Sequence, residues 1–135
     1  MPAVIRLYLT ALTVFLALDA VWLGVVARGF YRTHLGGLMR PDINWGAALL
    51  FYLMFIAGLL VFAVLPGLER QSLGRAAGLG ALFGLICYAT YDLTNLATLR
   101  GFPGIVAAVD LAWGAVIAGA TASATYLLAG PLGAR

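Results

Sequence analysis

The sequence predicts an all-α fold, a bundle of four transmembrane helices with the N- and C-termini on the same side of the membrane. Three observations predict it. The 135-residue chain is 64% hydrophobic and 10% charged, with a mean hydropathy of +1.03, whereas soluble domains are roughly half apolar and a quarter charged. Four apolar runs, at about residues 4–27, 44–65, 74–99 and 104–129, each reach the ~20 residues that a ~30 Å hydrocarbon core requires. In lipid each backbone N–H and C=O must be satisfied within the segment, which leaves helices as the reading of such runs. One polytopic domain, residues 1–135, accounts for the length.

The first run is too long for the ~7–15-residue apolar region of a cleaved signal and carries Asp19, so it is read as a retained helix. The connection ARGFYRTHLGGLMRPDI, residues 27–43, holds Phe30, Tyr31, Leu35, Leu38 and Met39, and reads as a piece lying in the membrane interface. Pro66 and Gly67 are expected to end the second helix, and GLERQSLGR gives a short polar link to the third. RGFPG, residues 100–104, is a tight turn joining the third and fourth helices as antiparallel neighbours. Small residues recur four apart at Gly74–Gly78, Gly80–Gly84, Ala108–Ala112 and Ala115–Gly119. Such pairs let helix backbones approach closely in lipid, either within the chain or along the seam of a homodimer. Arg6, Arg70, Arg75 and Arg135 fall on one side and Arg28, Arg32, Arg40 and Arg100 on the other, so the positive-inside rule gives no orientation.

The composition also excludes chemistry. The chain has no lysine, which removes any lysine Schiff base. A net charge of +3 from arginines scattered at segment ends is no nucleic-acid signature. Cys87 stands alone inside an apolar run and reads as a small buried hydrophobe. His34, the one histidine, lies in the first connection and pairs with no cysteine at ligand spacing, so no zinc site is expected. A calcium or magnesium site would need six or more oxygen ligands, which this chain assembles with difficulty. Ser72 and Ser123 have no histidine nearby to complete a hydrolytic triad. No metal and no cofactor is expected.

What remains is a set of polar groups inside the spans. Asp19 lies nine residues before Arg28, Asp92 eight before Arg100, and Asp110 seven after Pro103. At ~1.5 Å of rise per residue they lie about 13, 12 and 10 Å deep from the same membrane face. Tyr52 of the second helix sits at a matching depth, about 12 Å from Asn44. Helical spacing aligns Tyr8, Leu12, Phe15, Asp19, Trp22 and Val26 along one stripe of the first helix. It groups Tyr88, Asp92 and Asn95 in the third, with Tyr91 and Thr94 beside them, and Asp110, Trp113 and Gly114 in the fourth, extended by Ile117 and Thr121. LDAVWLG and VDLAWG both place Trp three residues after Asp.

An aspartate at mid-membrane costs ~2.5–3.5 kcal/mol, against ~0.6–2 kcal/mol returned by an interhelical hydrogen bond. Read structurally, each carboxyl staples helices by accepting from Trp22, Trp113, Tyr52, Tyr88 or Asn95, or by pairing with Arg28 or Arg100 reaching inward. Read functionally, three carboxyls in one layer beside an amide and several phenols form a site. The candidate ligand-binding residues are Asp19, Trp22, Tyr52, Tyr88, Tyr91, Asp92, Asn95, Arg100, Asp110 and Trp113.

The segments FLALDAVWLGVVARGFYR, NWGAALLFYLMFIAGLLVF, ALFGLICYATYDLTNLATLRGFP and VDLAWG together resemble a bacterial family of small membrane proteins, domain of unknown function 2177. The resemblance covers nearly the whole chain. It is most specific at YDLTNLATLRGFP, where the family form carries Trp in place of Phe102, an exchange that keeps an aromatic at the turn. It implies a four-helix, multi-pass protein of the bacterial inner membrane and transfers no catalytic role to any residue.

Three functions are compatible with these residues. The first is a membrane protein that binds a small molecule or lipid head group in the aspartate layer, with lipid-acting catalysis as an extension. The second is a dimeric proton-coupled exporter, since size, span number, a first-helix acid and balanced arginines are similar to the small multidrug-resistance transporters. The third is a structural or partner-binding subunit whose carboxyls only join helices. Membrane lipid is a partner in all three, and nucleic acid in none.

Overall fold

The structure, a computed structural model, describes residues 2–39 and 42–130. All regular structure among these residues is helical. Four helices are long and apolar enough to cross a membrane: Ala3–Val26, Trp45–Glu69, Leu73–Thr98 and Gly104–Ala129. The side chains of Arg28 and Arg40, and the whole of Arg135, all weighed in the charge count, lie outside the described residues.

The first span is α1 (Ala3–Val21) continued by one π-helical turn, Trp22–Val26. A π turn takes more residues per revolution than an α turn, so the apolar stripe slips where it begins. Leu7, Ala11, Phe15 and Asp19 stay on the buried face, but Val26 does not share it and is 62% exposed. Helix α2 (Arg28–Leu35) and a short 3-10 turn, Gly36–Leu38, form the first connection. Phe30, Tyr31 and Leu35 pack against buried Phe102, Val106 and Ala107. The connection expected to lie in the interface therefore docks its apolar face on the last turn and the fourth span.

The second span begins at α3 (Trp45–Leu59), capped by the Asn44 side chain, which accepts from the Ala47 N–H at 3.1 Å. A second π turn, Leu60–Val64, leads into α4 (Leu65–Glu69). Pro66 does not end this span, contrary to the sequence reading. It falls at the start of α4 directly after the π turn, and the helix runs on through it although its missing N–H leaves one carbonyl of the preceding turn without a helical donor.

The third span, α5 (Leu73–Thr98), starts at Ser72, whose hydroxyl accepts from the Arg75 N–H at 3.0 Å. It joins the fourth, α6 (Gly104–Ala129), through a turn in which Gly101 takes a φ of 75°, the left-handed region open to glycine. The pairing of α5 with α6 is the most extensive between any two elements.

Its closeness comes from small residues. A Cβ placed on Gly84 would lie 2.1 Å from the Gly114 carbonyl oxygen, and one on Gly80 would lie 2.7 Å from the Ala122 Cβ. The Gly80–Gly84 row meets Gly114, Ala118 and Ala122 of α6, one residue off the Ala115–Gly119 row read from the sequence. Ala108 and Ala112, by contrast, are exposed. With little hydrophobic gain between helices in lipid, this backbone contact and the van der Waals packing around it hold the pair.

Gly84→Ala should lower the stability of the detergent-solubilised protein by about 1–3 kcal/mol, because the overlap is with backbone and cannot relax by a rotamer change. Gly78→Ala, whose Cβ would meet nothing within 4 Å, should be neutral or slightly stabilising. Equal melting temperatures for the two variants would contradict this packing.

Candidate functional site

Asp19 closes one half of the site. The Tyr52 hydroxyl donates to its Oδ2 at 2.9 Å, and the Trp113 indole N–H donates to its Oδ1 at 3.4 Å. Each donor comes from a different span, α3 and α6, so the Asp19 carboxyl ties three helices together. Phe15, one turn away on α1, packs edge-on against Tyr52 with ring centroids 5.6 Å apart and lies 5.1 Å from Phe55. Phe15 and Phe55 are both buried, and they back this half of the site with apolar packing.

The other half is built around Asp110. Tyr31, from α2, donates its hydroxyl to Asp110 Oδ1 and accepts from the Trp22 indole N–H at 3.2 Å. Burial, and then the hydrogen bond to Asp110, push the Tyr31 phenol well above the ordinary tyrosine range. Tyr31 therefore remains a protonated donor at neutral pH. Asp92 of α5 lines the same cavity as Asp110 of α6. The side chain of Asp92 is 1% exposed, and its Oδ1 is buried without a hydrogen-bond partner.

The two halves meet at the rings of Trp22 and Trp113, which stack with centroids 4.4 Å apart and planes 9° from parallel. Each ring follows an aspartate by three residues on its own span, and each N–H leads, directly or through Tyr31, to the aspartate of the other. Trp113 of α6 reaches Asp19 of α1 directly. Trp22 of α1 reaches Asp110 of α6 through Tyr31. The aspartate–tryptophan spacing noted in the sequence is thus a reciprocal clasp between the first and fourth spans.

These groups surround a cavity of about 520 Å³. Of the ten residues singled out from the sequence, Asp19, Trp22, Tyr52, Tyr88, Tyr91, Asp92, Asp110 and Trp113 line it. Two are elsewhere. Asn95 is half-buried on the turn after Asp92, and Arg100 is exposed at the connecting turn. Neither belongs to the lining, because the α5 face that meets the cavity carries Cys87, Tyr88, Tyr91 and Asp92 and ends before Asn95.

The sequence reading omitted Tyr31, Phe51, Cys87 and the apolar group Leu23, Leu35, Met39 and Ala48, all on the wall. Depth counting stops where a span stops, so it could not draw Tyr31 in from the connection. The signal available was an amphipathic FYRTHL turn immediately after the first span. His34 does not join the site: it is exposed, its Nδ1 lies 2.9 Å from the Phe30 carbonyl oxygen, and its ring lies against the Phe30 ring. Among the described residues, no three of the His, Cys, Asp and Glu side chains come together as a metal-ligand set.

Four helices long and apolar enough to cross a membrane, packed around a mainly apolar cavity with carboxyls on its wall, make this a multi-pass membrane protein. The model of the family described as predicted membrane protein DUF2177 matches residues 4–127, and the chain belongs to that family. Neither a curated protein nor a solved structure matches it.

Tyr31→Phe should remove both the donor to Asp110 and the acceptor for Trp22, costing about 1–3 kcal/mol for the buried group left unpaired. Hydrogen–deuterium exchange should then rise across residues 28–35, with α5 protected as before. Exchange in this segment equal to that of the parent protein would show that Tyr31 does not hold α2 in place.

Proposed function

We propose that this protein binds the polar end of a small amphiphile or lipid in the cavity among its spans. The observation that carries the reading is the division of the cavity wall. Its inner part bears the carboxyls of Asp19, Asp92 and Asp110 with the phenols of Tyr31, Tyr52 and Tyr88. Its exposed members include Leu23, Met39 and Phe51. A ligand with a polar head and an apolar body matches both parts at once, and the volume lies in the range of sites for drug-sized molecules. The resemblance of the sequence to a bacterial family supports a bacterial inner membrane as the location of this binding protein.

Structural stapling supports Asp19 well, because two donors from two other helices satisfy it. It accounts less well for Asp92, whose insertion costs ~2.5–3.5 kcal/mol and which keeps a buried oxygen unpartnered. A polar group held in that state is expected where an incoming ligand supplies the missing partner.

Protein purified in a mild detergent should carry a bound amphiphile detectable by native mass spectrometry. Ala48→Trp places an indole in the cavity without altering a carboxyl, and should reduce occupancy at least tenfold, equivalent to ~1.4 kcal/mol. The same occupancy in the variant and the parent would refute binding in this cavity.

A further inference from the structure

We infer that the cavity selects amphiphiles whose head is a positively charged, alkylammonium-type group. The inference rests on the binding reading above and deepens it. The cluster of carboxyls alone would not carry it; the state of Asp92 does. Asp92 lines the cavity, is almost completely buried, and its Oδ1 has no hydrogen-bond partner. Leaving a buried carboxyl oxygen without a partner costs free energy that a cation or a strong donor relieves.

The acidic wall fits a cation. Asp92 and Asp110 both line the cavity, on the two spans that pair most extensively. Asp110 already accepts from Tyr31, which leaves Asp92 as the member with a free oxygen. Among the described residues no arginine or histidine lines the cavity. An anionic head would face these carboxyls with nothing on the described wall to balance it. A sugar-like head would find mainly acceptors and phenols, and would gain hydrogen bonds without neutralising the pair.

The aromatic wall points the same way. Trp22, Trp113, Tyr31, Tyr88 and Tyr91 line the same cavity as Asp92. Tryptophan and tyrosine faces attract a cation by ~0.5–2 kcal/mol each, most strongly where water is excluded, and such cages suit quaternary ammonium heads. The stacked Trp22–Trp113 pair also fixes two of these rings, so they need not be ordered when the ligand enters.

The test uses the full-length chain with Trp45→Phe, so that the stacked pair supplies all the indole fluorescence. Octyltrimethylammonium and octanol are titrated separately into the protein in dodecyl maltoside, with fluorescence and near-ultraviolet circular dichroism as readouts. The cation should bind at least tenfold more tightly than the alcohol. Asp92→Asn should lower cation affinity at least tenfold and leave the alcohol unchanged. The comparison of the two probes on the parent protein stands even if that variant does not fold. Equal affinity of the two probes overturns the charge selectivity and leaves amphiphile binding intact. If neither probe perturbs the indoles, both readings fall.

Discussion

The reciprocal clasp between α1 and α6 is the constraint on which the rest of the site depends. Trp22 and Trp113 stack, and each sends its N–H across to the polar system of the other helix. Two rings held this way fix the separation and the rotation of the first and last spans together. The clasp needs Trp22 aimed at Tyr31, and Trp22 is where the backbone changes from α to π geometry. Such turns re-aim side chains locally and recur at functional sites. The π turn ends at Ala27, buried, from which α2 leaves and carries Tyr31 back over Asp110. The loop, the clasp and the Asp110 carboxyl are therefore one connected arrangement. The extensive α5–α6 contact supplies the remaining wall: a Cβ on Gly114 would lie 2.5 Å from Tyr88 Cγ, so glycine there lets that ring lie close against α6.

Much of this was legible in the sequence, for reasons that can be traced to particular residues. Rise per residue is nearly constant in a membrane helix, so counting inward from Arg28, Arg100 and Pro103 placed Asp19, Asp92 and Asp110 in one layer. All three line one cavity. Rotation about the helix axis is less dependable, because one wide turn shifts everything beyond it. That is why Val26 left the predicted stripe while Phe15 and Asp19 kept to it. Pro66 misled for a related reason: it follows a π turn, and the helix runs on through it inside a continuous span. Asn95 falls outside the lining because a shared helical face is wider than the cavity it meets. Tyr31 was out of reach, since its role depends on how a connection folds back on the helix of Asp110, and no periodicity encodes that contact.

The three intramembrane aspartates look equivalent in sequence, but their surroundings differentiate them. Asp19 meets a phenol and an indole from two other helices, and its burial suits a joint. Asp110 is partly satisfied from outside the spans by Tyr31, which ties its state to the position of α2. Asp92 sits on the helix pressed most closely against α6, where Gly80 and Gly84 leave no room for side chains to intervene. Asp92 lines the cavity together with Asp110, and its Oδ1 keeps no protein partner. Relief from within the chain would require a donor on the cavity wall where aromatic and apolar side chains now stand, and that donor would occupy the space the cavity keeps open.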